Sequence, residues 1–217
     1  AYALMQSGSA VTLVERDDEA AASARARVSG LLDAAVSRGL TSADKAAAQL
    51  TSMRFQAGYD DLQDAGLAIE AAFEDMAVKK DVLAALDSAM PDAVLATNTS
   101  YLDINKMAGW LTDPSRLVGL HFFSPAHIMK LLEIVRGKAS SDMALATGFA
   151  LAKRLGKLPV MVGVCDGFVG NRMLQRVREA AEHLLLDGAK FTQIDRVMTN
   201  FGYAMGLYMT QDLSGLD

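Results

Sequence analysis

The sequence has little of the features that mark several specialised classes of protein. It contains a single cysteine, Cys165, which excludes an intrachain disulfide framework and favours a reducing compartment. No apolar run approaches the roughly 18–20 residues needed to cross a bilayer, and no signal peptide is visible. The formal net charge of −5 disfavours a dedicated nucleic-acid binder, because such proteins usually carry a basic stripe. Three histidines and one cysteine give no spacing typical of metal ligands.

What is present is the composition of an ordinary globular protein. Of 217 residues, 51% are hydrophobic and 22% are charged, which disfavours disorder and suffices for one sizeable domain or one domain and part of another. The chain begins at Ala1 within residues typical of the last turns of a helix, and it ends at Asp217 directly after Leu-Ser-Gly-Leu. Because domains rarely start within a helix, we expect a fragment that is cut at both ends.

Short apolar runs alternate with helical patterns over most of the chain. Strands are predicted over residues 10–15, 66–72, 93–97, 117–121, 131–135 and 159–164, and helices over 17–39, 43–50, 75–88 and 141–155. This alternation predicts an α/β protein with a Rossmann-type, doubly wound and mostly parallel sheet. The glycine-rich phosphate loop of such a fold would lie just before Ala1, so we expect the sheet to lack its first strand.

The pattern changes after the last of these strands. One long helix is predicted over residues 168–187, with an apolar stripe that comprises Val169, Met173, Val177, Ala180 and Leu184. We therefore expect an N-terminally truncated Rossmann-type domain over residues 1–165. The start of an all-α C-terminal domain, also truncated, is expected over residues 166–217.

Capping residues predict where two of the shorter helices start and stop. Thr41 or Ser42 is the predicted N-cap of the helix over residues 43–50. Thr192 and Asp195 predict a capping box for a short helix in the C-terminal part of the chain. Gly202 is expected to end that helix.

Two polar sites follow predicted strands, at the edge of the sheet where ligands of this fold bind. Glu15 ends the first strand, where a dinucleotide-binding fold places the acid that hydrogen-bonds the adenosine ribose. A carboxylate there favours NAD over NADP, because it repels a 2′-phosphate; the alternative is that Glu15 merely ends the strand and caps the next helix. Asn98-Thr99-Ser100 follows another strand and can hydrogen-bond a nicotinamide ribose or a substrate hydroxyl, although such residues are also common in ordinary turns.

His121 and Glu133 carry the chemistry that the sequence indicates most clearly. His121 ends a predicted strand at the same edge, and Glu133 lies in the next strand among apolar residues. A buried carboxylate needs a partner, and an imidazole that a carboxylate holds is oriented as a general base. The pair predicts removal of a hydroxyl proton while hydride leaves the same carbon. The alternative is a structural histidine at the end of a strand.

Asn171 lies at the predicted domain junction, within the segment Asp166-Gly-Phe-Val-Gly-Asn-Arg172. Gly167 and Gly170 permit close packing at the start of a helix. From the first turns of that helix, Asn171 can reach into an interdomain cleft. A hydrogen bond at the helix start is the alternative role for its side chain.

Five segments together resemble one protein family. Residues 97–102 (TNTSYL), 119–125 (GLHFFSP), 129–136 (MKLLEIVR), 167–172 (GFVGNR) and 212–217 (DLSGLD) resemble the L-3-hydroxyacyl-CoA dehydrogenases of fatty acid β-oxidation. The sequences of these segments are most similar to the dehydrogenase portion of multifunctional fatty acid oxidation enzymes. The resemblance implies NAD as cofactor and an acyl-CoA substrate. It also implies a cytoplasmic or organelle-matrix protein whose intact parent is a homodimer or part of a multifunctional β-oxidation complex.

The resemblance implies a role for each matching catalytic residue. His121 matches the catalytic base of the family, and Glu133 matches the carboxylate that orients this base. Ser100 matches the serine that contacts both the substrate hydroxyl and the cofactor. Asn171 matches the helix-start asparagine near the substrate carbonyl.

The resemblance also implies binding residues. Glu15 matches the acid at the adenosine ribose, and Glu74 and Lys79 match positions that contact the nicotinamide half of NAD. Ser124 stands at a substrate-binding position where many single-function members have asparagine. Arg38 falls where a basic residue can meet the phosphates of CoA.

We therefore predict an NAD-dependent dehydrogenase that oxidises (S)-3-hydroxyacyl-CoA to 3-ketoacyl-CoA, an activity expected of the intact parent and not of the fragment alone. One alternative is a related hydroxy-acid or sugar-acid dehydrogenase that does not use CoA. Another is a non-catalytic, crystallin-like protein that binds NAD. The joint presence of Ser100, His121, Glu133 and Asn171 argues against the last alternative, because a scaffold requires none of them.

Overall fold

The chain divides into two structural units, with the boundary between Asp166 and Gly167. The computed structural model describes residues 1–214, so the end of the 212–217 motif lies outside the described residues. Strands and helices alternate in the first unit, whereas the second unit is helical over the part that the structure describes. None of the helices within residues 1–214 is long and apolar enough to span a membrane.

Seven strands and six α-helices make up the first unit, all of whose residues are described. Its strands are β1 (Val11–Glu15), β2 (Met53–Ala57), β3 (Leu67–Glu70), β4 (Val94–Thr97), β5 (Leu117–Phe122), β6 (Leu131–Arg136) and β7 (Leu158–Gly163). Its helices are α1 (Tyr2–Gln6), α2 (Asp18–Ser37), α3 (Ala43–Thr51), α4 (Met76–Ala89), α5 (Ile104–Ala108) and α6 (Asp142–Arg154), and a 3-10 turn covers Pro114–Arg116.

The strands form two hydrogen-bonded ladders. β1 pairs in parallel with β2, and the other five strands form one sheet in the order β3-β4-β5-β6-β7. Within this larger sheet only β5 and β6 run antiparallel. They are joined by the loop 123–130 without a crossover helix, and parallel pairing would require such a crossover. The predicted α/β class, with a Rossmann-type and mostly parallel sheet, is confirmed.

The core of the larger sheet lies between its strands and α6. The buried residues on this face are Ala96, Val118, Leu120, Leu132, Ile134, Ala144, Leu145, Leu151 and Ala152. Burial of one such large apolar side chain contributes about 1.5–3 kcal/mol to stability. Because successive residues of a strand point to opposite faces, His121 and Glu133 point away from α6. Packing of their neighbours against this helix therefore fixes the strands that carry them.

α5 packs against the other face of β5, at Gly119. A Cβ atom at this position would lie 2.4 Å from Ile104 Cδ1 and 2.6 Å from Val135 Cβ, which no side chain tolerates without a shift of its neighbours. Gly119 therefore lets α5 approach the strand closely. With α5 and α6 on opposite faces, the sheet is covered by helices on both sides, as expected of a doubly wound fold.

β2 is a strand that the sequence analysis did not predict. Arg54 and Gln56 alternate with its apolar residues, so that the segment lacks the continuous apolar run by which the other strands were recognised. Two helices of this unit begin at polar side chains that cap them. Asp17 accepts a hydrogen bond from the N–H of Ala20 at the start of α2. Ser42, one of the two candidates, caps α3.

The second unit contains α7 (Gly170–Leu186), α8 (Phe191–Phe201) and α9 (Leu207–Ser214). Its buried cluster consists of Ala181, Ile194 and Leu207, one residue from each helix. Most of the stripe predicted on α7 is exposed, namely Val169, Met173, Val177 and Leu184. The apolar residues of α7 therefore do not all contribute to the core of this unit.

The predicted capping box of Thr192 and Asp195 is wrong. α8 begins after Lys190, and the N–H of Lys190 donates to Oε1 of Gln193 at 2.8 Å. The helix ends at Gly202, as predicted, with the backbone of this residue in the left-handed region at φ +119°.

Asp195 instead caps the following helix, α9. Its carboxylate accepts hydrogen bonds from the N–H groups of Tyr208 at 2.8 Å and Met209 at 3.1 Å. Gly206 leaves room for this contact, because a Cβ atom there would lie 2.2 Å from Asp195 Cγ. The side chain of Asp195, which a local sequence motif assigned to the start of α8, therefore forms a long-range contact with α9 instead.

Candidate active site

His121 and Glu133 face each other across the antiparallel pair of β5 and β6. They are direct partners in the register, and His121 Nδ1 lies 2.7 Å from Glu133 Oε2. Their side chains are 5% and 1% exposed, so the pair is almost fully removed from water. Paired residues of an antiparallel ladder lie side by side on one face of the sheet. The register of the two strands therefore brings these side chains together.

This contact determines how the imidazole can act. A carboxylate acceptor at Nδ1 keeps the proton on that nitrogen, so the lone pair of the neutral ring lies on Nε2. The negative charge of Glu133 also stabilises the ring once it takes up a second proton. The ring centroid of Phe123 lies 4.6 Å from that of His121 and restricts rotation of the imidazole. The pair has the arrangement of an oriented general base.

The segment after β4, residues 98–101 (the Ser100 loop), is held by Glu74. Oε1 of Glu74 accepts hydrogen bonds from the N–H of Ser100 at 2.8 Å and the N–H of Tyr101 at 3.1 Å. The hydroxyl of Thr99 donates to the same oxygen at 2.5 Å. Three donors on one carboxylate oxygen fix the backbone of this loop and hold Ser100 half-buried at the carboxyl end of β4.

A buried ion pair lies next to Glu74. Nζ of Lys79 lies 3.0 Å from each carboxylate oxygen of Glu70 and 3.4 Å from Glu74 Oε2. It also donates to the carbonyl oxygen of Ala72 at 3.2 Å. The side chains of Glu70 and Lys79 are 0% and 1% exposed, whereas that of Glu74 is 36% exposed. We refer to Glu70, Lys79 and Glu74 as the Glu-Lys-Glu cluster.

The environment of Glu74 keeps its carboxyl group ionised. Burial alone would raise the pKa of Glu74. The hydrogen bonds from the Ser100 loop and the positive charge of Lys79 outweigh this effect and hold the pKa below its usual value. The cluster thus contains two carboxylates and one ammonium group, and its excess negative charge lies at Glu74, the member that water reaches.

Asn98 connects this region to the strand that carries His121. Its Oδ1 accepts a hydrogen bond from the N–H of Phe122 at 2.9 Å, and its own N–H donates to the carbonyl oxygen of Glu70 at 2.9 Å. One residue therefore joins the carboxyl ends of β3, β4 and β5. From the sequence alone, Asn98 is expected in a ligand-binding motif, and this role in joining strands is not apparent.

Glu15 ends β1, as predicted, and is half-buried there. A guanidinium nitrogen of Arg27 lies 3.6 Å from its Oε1. Glu15 does not cap the next helix, because the N-cap of α2 is Asp17. The half-buried carboxylate of Glu15 can therefore act as a hydrogen-bond acceptor at the carboxyl end of a parallel strand.

The other predicted binding residues lie in three different parts of the chain. Arg38 is exposed at the C-terminal end of α2, and Ser124 is exposed in the loop between β5 and β6. Asn171 lies in the first turn of α7, in the second unit. The structure thus brings His121 into contact with Glu133, and Ser100 into contact with Glu74 and, through it, Lys79. No group of histidine, cysteine or acidic residues within 1–214 could hold a metal ion.

Family models match both units of the chain. Residues 1–165 match the model described as "3-hydroxyacyl-CoA dehydrogenase, NAD binding domain", and residues 167–217 match "3-hydroxyacyl-CoA dehydrogenase, C-terminal domain". The chain belongs to the 3-hydroxyacyl-CoA dehydrogenase family. The family that the five sequence segments resemble is therefore confirmed, and residues 1–165 correspond to its NAD-binding domain.

Individual relatives agree with this family. The chain is 44% identical over 216 residues to the peroxisomal bifunctional enzyme of Danio rerio. The aligned region comprises 99% of the chain and 29% of that protein. It is 37% identical over 218 residues to the fatty acid oxidation complex subunit alpha of Pseudomonas putida, covering 100% of the chain and 30% of that protein. The crystal structure of (S)-3-hydroxybutyryl-CoA dehydrogenase PaaH1 from Ralstonia eutropha superposes with a TM-score of 0.92 at 32% identity, covering 100% of the chain and 77% of that structure. The chain thus spans less than a third of the length of the two multifunctional relatives.

In this member of the family, sequence reasoning missed Glu70. The signal that drew attention to Glu133 was an acid among the apolar residues of a predicted strand, and Glu70 shows the same signal within the strand predicted over residues 66–72. The register pairs Glu70 with Thr97 on β4, whose hydroxyl donates to the Glu70 carboxylate. Applied to every strand, the same criterion would have found it.

Proposed function

We propose that this chain is the dehydrogenase part of an enzyme that oxidises (S)-3-hydroxyacyl-CoA to 3-ketoacyl-CoA with NAD. The observation that carries the proposal is the buried contact between His121 and Glu133 at the carboxyl edge of a Rossmann-type sheet. Membership of the 3-hydroxyacyl-CoA dehydrogenase family and the names of its multifunctional relatives support it.

In the proposed reaction, His121 accepts the proton of the substrate C3 hydroxyl at Nε2. Glu133 holds the ring through Nδ1 and stabilises the imidazolium that results. NAD, when bound, accepts the hydride that leaves C3, so the products are the ketone and NADH. A general base placed in this way typically contributes about 10²–10⁴-fold to the rate.

Two acidic residues of the first unit fit a bound NAD. The Glu15 side chain is 32% exposed at the carboxyl end of β1, so it can accept a hydrogen bond from a ribose hydroxyl. Glu74 carries the excess negative charge of the Glu-Lys-Glu cluster, and this charge suits the positively charged nicotinamide ring. We further propose that Ser100, which Glu74 holds in place, contacts the cofactor and the substrate hydroxyl.

The remaining assignments come from the family resemblance. We propose that Asn171 and Ser124 bind the substrate and that Arg38 meets the phosphates of CoA. We also propose that the full-length protein is multifunctional or a homodimer and works in the cytoplasm or in an organelle matrix. Relatives named as a peroxisomal bifunctional enzyme and as a fatty acid oxidation complex subunit support this. Sedimentation equilibrium and cell fractionation of the full-length protein test these two points.

The test uses the full-length protein and follows oxidation of NADH by acetoacetyl-CoA. Replacement His121→Ala should lower kcat by about 10²–10⁴-fold, because the general base is lost. His183→Ala is the matched control, since His183 is exposed on α7, and it should retain wild-type turnover. Unchanged turnover in the His121→Ala variant would contradict the proposed role. A strong preference for free acetoacetate over acetoacetyl-CoA would reject the CoA substrate and favour a CoA-independent dehydrogenase.

A further inference from the structure

The Glu-Lys-Glu cluster contains a charged pair that the proposed reaction does not use. Lys79 lies in α4, three residues after its first residue, and its side chain turns back to the end of β3. Glu70 receives both contacts of 3.0 Å from the Lys79 ammonium, together with the hydroxyl of Thr97 and the N–H of Ala72. Such a pair is retained at a cost, because two charges have been removed from water.

The contact with the nicotinamide half of NAD that the family resemblance implies for Lys79 stays a prediction, and the contacts that the structure gives this residue are internal. Its side chain is 1% exposed, and its ammonium group is surrounded by Glu70, Glu74 and the carbonyl oxygen of Ala72. An ammonium group has three N–H donors, and these oxygens are enough to engage all of them. The contacts of Lys79 therefore run inward to Glu70 and outward to Glu74.

Glu74 completes a chain of contacts to the Ser100 loop. Its Oε2 faces Lys79 at 3.4 Å, while its Oε1 accepts the N–H groups of Ser100 and Tyr101. The two oxygens of one carboxylate are thus divided between the ammonium group and the loop. If the ammonium moved, Glu74 would move with it, and the hydrogen bonds to the loop would be strained or lost.

We propose that Glu70 is a positioning residue, which holds Lys79 so that Glu74 and the Ser100 loop keep their places at the cofactor edge of the sheet. This inference rests on the proposed function for its consequence, but its structural content does not depend on catalysis. The charge on Glu70 has a second effect. It neutralises Lys79 internally, so the negative charge of Glu74 remains available at the edge of the sheet.

The variant that tests this is Glu70→Gln in the full-length protein. Glutamine keeps the shape and an acceptor oxygen but removes the charge. The Lys79 ammonium then has Glu74 as its only charged partner in the cluster and should draw that carboxylate inward, away from the loop amides. We expect amide hydrogen exchange of Ser100 and Tyr101 to accelerate by roughly tenfold, since a hydrogen bond to a charged group typically contributes at least that factor. We also expect KM for NADH to rise, with a smaller change in kcat.

Asp87→Asn is the matched control. Asp87 also lies in α4 and forms an ion pair with Arg116, with side chains 10% and 12% exposed. Loss of this pair should lower Tm, because it too leaves a charge without its partner. It should leave exchange in the Ser100 loop and KM for NADH at wild-type values, because neither residue contacts the Glu-Lys-Glu cluster through any of the bonds described.

The outcomes separate the two proposals. If Glu70→Gln lowers Tm as Asp87→Asn does but changes neither exchange in the Ser100 loop nor KM for NADH, Glu70 has only a structural role and the inference is overturned. If Glu70→Gln does not fold, Glu70→Asp replaces it: the aspartate keeps the charge but is one methylene too short to hold the Lys79 ammonium at its present distance, so exchange of the same two amides must again be faster; unchanged exchange overturns the inference. Hydrogen exchange needs no turnover, so a wild-type protein without dehydrogenase activity would reject the proposed function and leave this test intact.

Discussion

Two carboxylates are almost completely buried in the first unit, and they differ in the partner that compensates them. Glu133 on β6 contacts an imidazole on the neighbouring strand, whereas Glu70 on β3 contacts an ammonium group that reaches it from α4. The side chains are 1% and 0% exposed, so burial does not distinguish them. What differs is the proton chemistry of the partner.

An imidazole ring can accept a proton at one nitrogen while it donates from the other, whereas an ammonium group has only donors. The His121–Glu133 pair can therefore gain and lose a proton, and the Glu70–Lys79 pair can only hold its neighbours in place. Two similar buried pairs at one edge of a sheet therefore have different roles. The His121–Glu133 pair takes part in proton transfer, and the Glu70–Lys79 pair holds its neighbours in place. This difference should be visible as a separation between effects on kcat and effects on KM.

Of the variants that compare the two buried carboxylates, Glu133→Gln should have the largest effect. The amide can still contact the ring, but it does not stabilise the imidazolium that forms when His121 takes the substrate proton. We expect kcat for NADH-dependent reduction of acetoacetyl-CoA to fall by about 10²–10³-fold, within the usual range for a lost acid–base contribution, while KM for NADH stays near its wild-type value. Steady-state kinetics of the full-length protein measure both constants.

Glu70→Gln is the counterpart of this variant, since it makes the same chemical change at the other buried carboxylate. If Glu133→Gln raised KM for NADH and left kcat unchanged, the comparison between the two pairs would be wrong. A fall in kcat for both variants with no change in KM would likewise remove the distinction between chemistry and position.

A smaller effect is expected where the two regions are joined. Asn98→Ala removes the oxygen that accepts the N–H of Phe122 and so disconnects the Ser100 loop from the end of β5. The cost of leaving such a partly buried donor without its acceptor is about 1–3 kcal/mol. We expect a lower Tm and a fall of roughly tenfold in kcat/KM, shared between kcat and KM, because both regions lose their common anchor.

Asn105→Ala provides the comparison for that variant. Its Oδ1 accepts the N–H of Lys138, at the end of β6 remote from Glu133, so it removes a similar contact between a side chain and a backbone amide. It should lower Tm with kcat/KM unchanged. Equal losses of kcat/KM in both variants would mean that Asn98 acts only through general stability.

The fold class was predictable because the strands of the larger sheet are short apolar runs and the helices between them have the apolar periodicity typical of helices. β2 was not predictable in this way, since Arg54 and Gln56 interrupt it and its pairing with β1 is a long-range contact. The predicted capping box of α8 was wrong because a long-range contact was again involved. Asp195 was assigned to a local motif, but its carboxylate binds the amides of Tyr208 and Met209 in another helix.

The site was predictable where residue type and strand position together imply a contact. An acid within an apolar strand needs a partner, and His121 was the candidate that the neighbouring strand offered. Lys79 was found only by resemblance, and its burial could not be read from the sequence, because lysine is almost never buried unless it is paired. Its partner Glu70 stands nine positions earlier, a spacing that no helical or strand period connects.

Lys157 extends the comparison to a buried charge that carbonyl oxygens bind. This residue is 9% exposed, and its ammonium group donates to the carbonyl oxygens of Ala126 and Met129, in the loop between β5 and β6. Burial lowers the pKa of Lys157 from its usual value of 10.5. Carbonyl oxygens carry no full charge, so they compensate the ammonium group less than Glu70 compensates Lys79.

The smallest expected effect follows from that lowered pKa. Between the pKa of Lys157 in the folded protein and its usual value of 10.5, the unfolded chain binds more protons than the folded chain, so this residue makes stability rise with pH. Lys157→Met removes the titrating group. The Tm of the wild type should therefore rise relative to the Tm of the variant as the pH is raised towards 10.5. Thermal unfolding of both full-length proteins over this range measures the difference. Lys153→Met, at an exposed position in the last turn of α6, should follow the wild type. Parallel profiles for Lys157→Met and the wild type would contradict the lowered pKa of Lys157.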